Sequence, residues 1–257
     1  MTTDFTKLRV LHDIAGSADV GLETGHRYLT EAGPLPFDLY RPPHAAGPLA
    51  AVVFVSGYPD PGMAAMVGRP LKDWESYRAW ARMVAASGLI AITYLNSTPA
   101  DGAALLRHLH QSADSLGIDP SRIGLWACSG NGPTALALLA REPVTCAALL
   151  YPVTIDVDGA TGVAELARQI HFALPALTLA ELPRERPLLL VRAGRDTTPG
   201  LDPALLRFVA AARAHGLALT VLEHAEAPHA FDLLDDSPRT HEVIDEVLGF
   251  LRRTLTR

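Results

Sequence analysis

A serine hydroxyl attacks a carbonyl only when a base takes its proton and an acid orients that base. Ser129 is placed for such chemistry. In RIGLWACSGNGPTALALL an apolar run passes through Ala127-Cys128-Ser129-Gly130-Asn131-Gly132 straight into a helical pattern. A strand-to-helix turn this sharp strains its apical residue and exposes the side chain. The helix behind it offers N–H groups and a positive dipole end to a developing oxyanion. The plain alternative is a Gly/Ser-rich turn without chemistry. Shifting the register by one residue would make Cys128 the nucleophile. Keeping the strand in phase, with Gly132 at the helix start, puts Ser129 at the apex and leaves Cys128 as a small buried neighbour. Candidate acids are Asp196, in RDTTPG after the run PLLLVRAG, and Asp156 and Asp158 after the preceding run. Candidate bases are His229, in AEAPHAFDLLDD, and His224 at the end of LALTVLEH. His108 and His110 lie two apart on a helical pattern and share no face. Neither an HExxH segment nor a Cys/His cluster is present, so no metal is expected.

These residues need a scaffold, and the rest of the chain supplies one. Short apolar runs at 50–56, 89–95, 122–128, 146–152, 187–194 and 217–224 read as strands buried on both faces of a sheet. FDLYRP, 37–42, reads as a further strand near the sheet edge. Helical patterns alternate with them at 74–88, 101–117, 132–141, 202–216 and 240–254. Asp101 and Asp202 are the expected N-caps of two of these, and Gly88, Gly117 and Gly216 the expected stops. Strand–helix alternation predicts an α/β class with a mostly parallel central sheet and helices on both faces. Residues 1–36 read as a short hairpin or loop. Residues 153–186 form a small insertion, helical around TGVAELARQIHF and then Pro-rich, placed where it would cover a site.

Bulk properties narrow the function classes. With 49% hydrophobic and 19% charged residues the chain can bury one sizeable core, and residues 1–257 are expected to form a single domain. Net charge is −6 with both signs mixed along the chain, and no basic stripe or nucleic-acid motif appears, so nucleic acid is not an expected partner. Two cysteines do not make a disulfide framework. No apolar run reaches the ~20 residues that span a bilayer, and no secretory leader is visible. The expected setting is cytoplasmic, without a membrane partner. Oligomeric state is not legible.

The segment around Ser129 resembles the nucleophile elbow of the α/β-hydrolase superfamily, usually Gly-x-Ser-x-Gly. It departs from that pattern twice, with Ala127 for the first glycine and Asn131 for the second. Pro228-His229-Ala230-Phe231-Asp232 resembles the histidine loop of dienelactone-hydrolase-like proteins, some of which use cysteine at the elbow. The resemblance covers roughly 35–254 and implies the α/β-hydrolase fold and the chain order nucleophile, acid, histidine. It therefore favours Ser129, Asp196 and His229 as the catalytic set. It also implies an oxyanion hole built from the backbone N–H of Gly130 and, after AAVVFVS, that of Tyr58, where Ser56-Gly57 replaces the usual His-Gly. Expected pocket residues are Tyr58, Asn131, Tyr151, Phe172 and Phe231. The implied activity is hydrolysis of a small carboxylic ester or lactone, with no cofactor and a small-molecule ester as partner. A peptidase or acyl-aminoacyl hydrolase shares this fold and triad but commonly carries an extra domain. A non-catalytic binding protein is the other alternative.

Overall fold

The computed structural model describes residues 4–44, 47–157, 162–169 and 174–256. Among these residues eight strands form one sheet: β1 (Gly21–Thr30), β2 (Gly33–Arg41), β3 (Leu49–Phe54), β4 (Ile90–Tyr94), β5 (Ile118–Cys128), β6 (Cys146–Leu150), β7 (Leu188–Ala193) and β8 (Leu219–His224), in the order β1-β2-β4-β3-β5-β6-β7-β8. The pairs β1–β2 and β2–β4 are antiparallel and the remainder parallel. The inner parallel strands carry their apolar residues consecutively because both faces are covered, whereas β8, expected to be buried on both faces, lies at the sheet edge and is mostly half-exposed or exposed. In β3, Ala51 and Val53 join the core on one face, and Val52 and Phe54 the core on the other.

Nine α-helices flank the sheet among the described residues: α1 (Asp60–Val67), α2 (Glu75–Ala86), α3 (Asp101–Gln111), α4 (Ala113–Leu116), α5 (Gly132–Arg141), α6 (Gly162–Gln169), α7 (Leu201–His215), α8 (Phe231–Leu234) and α9 (Pro238–Leu255). Helices α3, α5 and α7 bury Leu105, Leu136 and Phe208 on one side. Helices α2 and α9 bury Trp80, Val84, Val247 and Leu251 on the other. The helix expected at 240–254 starts two residues earlier, where Ser237 accepts the Thr240 N–H and Pro238 takes the first turn.

Several expectations change. The N-terminal hairpin is not short: β1 runs ten residues and β2 extends back to Gly33, so FDLYRP is the inner half of a longer strand. Pro34 and Pro36 precede Phe37–Tyr40, the part of the strand that pairs with β4, and the Pro36 carbonyl accepts the Leu95 N–H at 3.0 Å. Asp101 is the first residue of α3 rather than its cap, and its carboxylate accepts the N–H groups of Ser97 and Thr98 in the preceding loop. Asp202 likewise lies inside α7 after the left-handed Gly200, and pairs through both oxygens with Arg192. In the insertion, α6 packs through Val163 against Val153, Leu201 and Ala204, beside α7. Among the described residues no helix is long and apolar enough to cross a membrane, and no group of three or more His, Cys, Asp or Glu is arranged to hold a metal.

Candidate active site

Strand β5 ends on Cys128 with extended backbone, and the chain turns at Ser129 with φ 51° before α5 begins. A non-glycine residue in the left-handed region costs roughly 1–2 kcal/mol and persists only where its surroundings enforce it. Here the Ser129 carbonyl accepts the Val153 N–H at 2.9 Å, tying the turn to the segment after β6. The crowding falls on Gly132, where a Cβ would lie 2.1 Å from the Val153 carbonyl oxygen. Position 131 has no such restriction, and Asn131 adopts ordinary right-handed backbone (φ −79°, ψ −12°). The elbow therefore asks no left-handed geometry of Asn131.

The loops after β7 and β8 carry the two other candidates and are zipped together. Gly194 N–H donates to the His224 carbonyl and Arg195 N–H to that of Ala227, at 2.9 and 2.8 Å. Only glycine fits at 194, since a Cβ would lie 2.3 Å from the Ala225 oxygen. This close approach sets Asp196 beside His229. His229 Nδ1 lies 2.6 Å from Asp196 Oδ2, and His229 Nε2 lies 2.8 Å from Ser129 Oγ. The second Asp196 oxygen accepts the Thr198 N–H at 2.8 Å. Burial works to raise the Asp196 carboxyl, but the hydrogen bonds from His229 and Thr198 outweigh it and hold it below its ordinary value. An ionised carboxylate there puts the imidazole proton on Nδ1 and leaves Nε2 to accept from the serine.

The competing residues are engaged elsewhere. His224 is buried, with Nε2 2.9 Å from Thr240 Oγ1 and 3.2 Å from Asp235. Asp156 accepts the N–H groups of Val163 and Ala164 at the start of α6. Asp158 lies outside the described residues. Cys128 Sγ sits 3.7 Å from the Tyr77 hydroxyl, and burial pushes its thiol up to about 12.

After β3 the chain is pressed against the elbow. Gly57 N–H donates to Asn131 Oδ1 at 2.7 Å, and a Cβ on Gly57 would come within 3.0 Å of the Asn131 Cα and the Gly130 oxygen. Asn131 Nδ2 donates to the Tyr77 hydroxyl at 2.8 Å. Asn131 is 4% exposed, so its amide joins elbow, loop and α2. Beyond the loop, buried Asp60 accepts the N–H groups of Leu71 and Asn96. The Tyr58 carbonyl accepts from Ser56 Oγ, and its ring lies against Gly62, with the hydroxyl directed at Met66.

A cavity of about 340 Å³ opens beside Ser129 and His229. Trp74, Tyr77, Trp80, Trp126 and Tyr151 form much of its wall. Tyr151 donates to Asp232 Oδ1 at 2.7 Å, and Trp80 Nε1 to Asp232 Oδ2 at 2.8 Å. Burial raises the Asp232 carboxyl against these two hydrogen bonds. Tyr151 stands edge-on to His229 with ring centroids 4.8 Å apart. Of the expected pocket residues, Tyr151 and Asn131 line this cavity, while neither Tyr58 nor Phe231 is among its lining residues. Phe231 is fully buried behind Tyr151, and Phe172 lies outside the described residues. Among the described residues none of 153–186 lines this cavity; Phe5, Met63, Val67 and Leu71 are among the residues that do. The tryptophans and Asp232 were not legible as site residues, although Asp232 follows His229 by three positions in the histidine loop. A larger cleft, about 740 Å³, lies near Arg9 and Arg82, lined by none of Ser129, Asp196 and His229.

No protein-family model matches the chain, and no curated protein matches it in sequence. Solved structures do resemble it. EstE1, a thermophilic and thermostable carboxylesterase cloned from a metagenomic library, superposes with a TM-score of 0.66 at 18% identity, covering 91% of this chain and 89% of its own. An esterase of Pyrobaculum calidifontis gives 0.66 at 18% identity over 91% and 85%. A thermostable esterase from Pseudomonas putida ECU1011 gives 0.69 at 15% identity over 96% and 86%. Sheet order, elbow and overall superposition agree: the chain has the α/β-hydrolase fold.

Proposed function

We propose that this protein is a serine hydrolase that cleaves a small carboxylic ester or lactone through an acyl-enzyme. The observation that carries the reading is the continuous line Asp196–His229–Ser129, with contacts of 2.6 and 2.8 Å, ending on a strained serine. The esterases that share the fold support the ester class. In this reading His229 Nε2 removes the Ser129 proton as Oγ attacks the carbonyl carbon. The carbonyl electron pair moves onto oxygen and is met by the N–H groups of Gly130 and Tyr58. Asp196 stabilises the imidazolium, which then protonates the departing alcohol. Water, deprotonated by His229, attacks the acyl-enzyme, and the acid leaves as Ser129 regains its proton. A preorganised oxyanion donor contributes ~10²–10³ in rate. The Pro-His-Ala-Phe-Asp loop supports a dienelactone-hydrolase-like subtype.

The test is Ser129→Ala assayed on 4-nitrophenyl esters, with circular dichroism to verify folding and a fluorophosphonate probe to report an activated serine. The expected result is loss of labelling and a fall in kcat on the order of 10⁵–10⁶. Full turnover by the folded variant would overturn the assignment.

A further inference from the structure

We infer that the cavity beside Ser129 receives an uncharged, apolar part of the ester, with room for a phenyl ring, and rejects a carboxylate there. This rests on the serine-hydrolase reading and adds the substrate class.

Three features of the wall lead to it. First, among the described lining residues none is Lys or Arg, so an anion entering the cavity would find no counter-charge. His229 is the one basic side chain on the wall, and its Nδ1 is already committed to Asp196. Second, Asp232 lies on the same wall with each oxygen taken by a protein donor, Trp80 on one and Tyr151 on the other. With its oxygens engaged in this way it supplies no counter-charge and no ready partner to an entering carboxylate. Third, much of the surface is aromatic carbon. The Trp80 nitrogen is turned to Asp232, and the Trp74 and Trp126 nitrogens are buried out of solvent reach, so an occupant of the cavity meets ring atoms rather than N–H donors. Moving a carboxylate from water into such a site is strongly unfavourable, whereas an apolar group gains by leaving water.

Size points the same way. An apolar cavity of ~150 Å³ is sufficient for benzene. The 340 Å³ here therefore holds a ring with a short linker to the scissile carbonyl. Edge-to-face contacts with Tyr77, Trp126 and Tyr151 would favour an aromatic occupant over an alkyl chain of similar length.

The experiment compares matched neutral and anionic esters on the intact protein. 4-Nitrophenyl hexanoate is set against mono-4-nitrophenyl adipate, which puts the charge on the acyl side. Hexyl acetate is set against the acetate ester of 6-hydroxyhexanoate, which puts it on the alcohol side. In the pair whose variable group enters the cavity, the anionic ester is expected to show kcat/KM at least about 100-fold lower. 4-Nitrophenyl 3-phenylpropanoate is expected to exceed the hexanoate severalfold. Both anionic esters within about threefold of their neutral twins would overturn the inference while leaving the hydrolase reading intact. Absence of any turnover together with no fluorophosphonate labelling would overturn both.

Val67→Arg places a cation at the partly exposed rim of the cavity. It is expected to raise the anionic-to-neutral ratio about tenfold in the discriminating pair. An unchanged ratio would locate the discrimination elsewhere and overturn the assignment to this cavity. Ser129→Ala supplies a readout free of chemistry, because all three tryptophans of the chain line the cavity. Its emission should shift with methyl 3-phenylpropanoate and stay unchanged with monomethyl adipate at the same concentration. Equal shifts would count against the inference.

Discussion

Replacing Asn131 by alanine tests how the elbow and the proposed oxyanion loop are joined. The change deletes two hydrogen bonds, from the Gly57 N–H at 2.7 Å and to the Tyr77 hydroxyl at 2.8 Å. It leaves the Gly57 N–H without its acceptor in a buried position. An abandoned buried donor costs ~1–3 kcal/mol. For a chain of this size each kcal/mol lowers the melting temperature by ~2–4 °C, so a drop of roughly 2–12 °C is expected. The catalytic effect is separate. Tyr58, the proposed second oxyanion donor, directly follows Gly57, so a loosened Gly57 misplaces it. Complete loss of such a donor sets a ceiling of ~10²–10³ in kcat. Partial displacement should give about a 10- to 100-fold fall in kcat with KM within about threefold, because the interaction strengthens only in the transition state. Asn131→Asp separates the two effects. Its carboxylate can still accept from Gly57, and the Tyr77 hydroxyl can turn to donate, so much of the stability returns. The added negative charge beside the oxyanion keeps kcat low. Initial rates over a range of 4-nitrophenyl hexanoate concentrations, with thermal melts of the same samples, decide the matter. A lowered melting temperature with kcat within twofold of the parent would confine Asn131 to stability and refute the positioning argument.

Four further outcomes follow from the geometry. Gly132→Ala drives a Cβ to 2.1 Å from the Val153 oxygen, a backbone atom that cannot swing away, and should cost about 3 kcal/mol, measured by urea denaturation. Cys128→Ala should retain kcat within about threefold, and the native thiol, pushed up to about 12, should resist iodoacetamide at pH 8 as followed by mass spectrometry; inactivation in step with alkylation would reinstate the cysteine as nucleophile. Asp196→Asn should lower kcat by ~10⁴ by upsetting the histidine tautomer. The Asp196 carboxyl is held lower in the folded state than in the unfolded one, so its stabilising contribution is present above about pH 4 and is lost as pH falls through the folded value. Denaturant midpoints at pH 7 and pH 3 should accordingly differ less in Asp196→Asn than in the parent protein.

The inner parallel strands were readable because they are covered on both faces, so their apolar residues run unbroken and stand out between helical patterns. Strand β1 was not. GLETGHRYLT is an edge strand with a register shift between Glu23 and His26, and most of its side chains are exposed or half-exposed, so it carries no clean alternation. The two misplaced caps fail for another reason. Asp101 and Asp202 have the right type at the right offset, but capping rules weigh only neighbours in sequence. Asp202 is claimed by Arg192, on a strand that the helix packs beside, and that partner is visible only in three dimensions.

The same distinction divides the site. Ser129, Asp196 and His229 each follow a strand, so topology alone gathers them at one edge of the sheet, and the structure brings them within hydrogen-bond distance. The cavity wall has no such local signature. Trp80 reads as one buried position of an amphipathic helix and Trp126 as the core of a strand, and both are buried in the structure. They meet beside Ser129 only because the fold sets the Trp80 ring of α2 against Trp126 of β5, with centroids 5.2 Å apart, which leaves nothing periodic to read. The elbow lies between these cases. Its usual second glycine is replaced by Asn131, yet the steric demand has not vanished: it stands one residue later, at Gly132 against Val153. With the demand for smallness met there, position 131 is free to carry an amide, and that amide fastens Gly57 to the elbow. A loop that begins Ser56-Gly57 instead of His-Gly is thus held from the opposite side, so Asn131 and this loop, two of the three places where the chain departs from the pattern it resembles, are joined by one hydrogen bond.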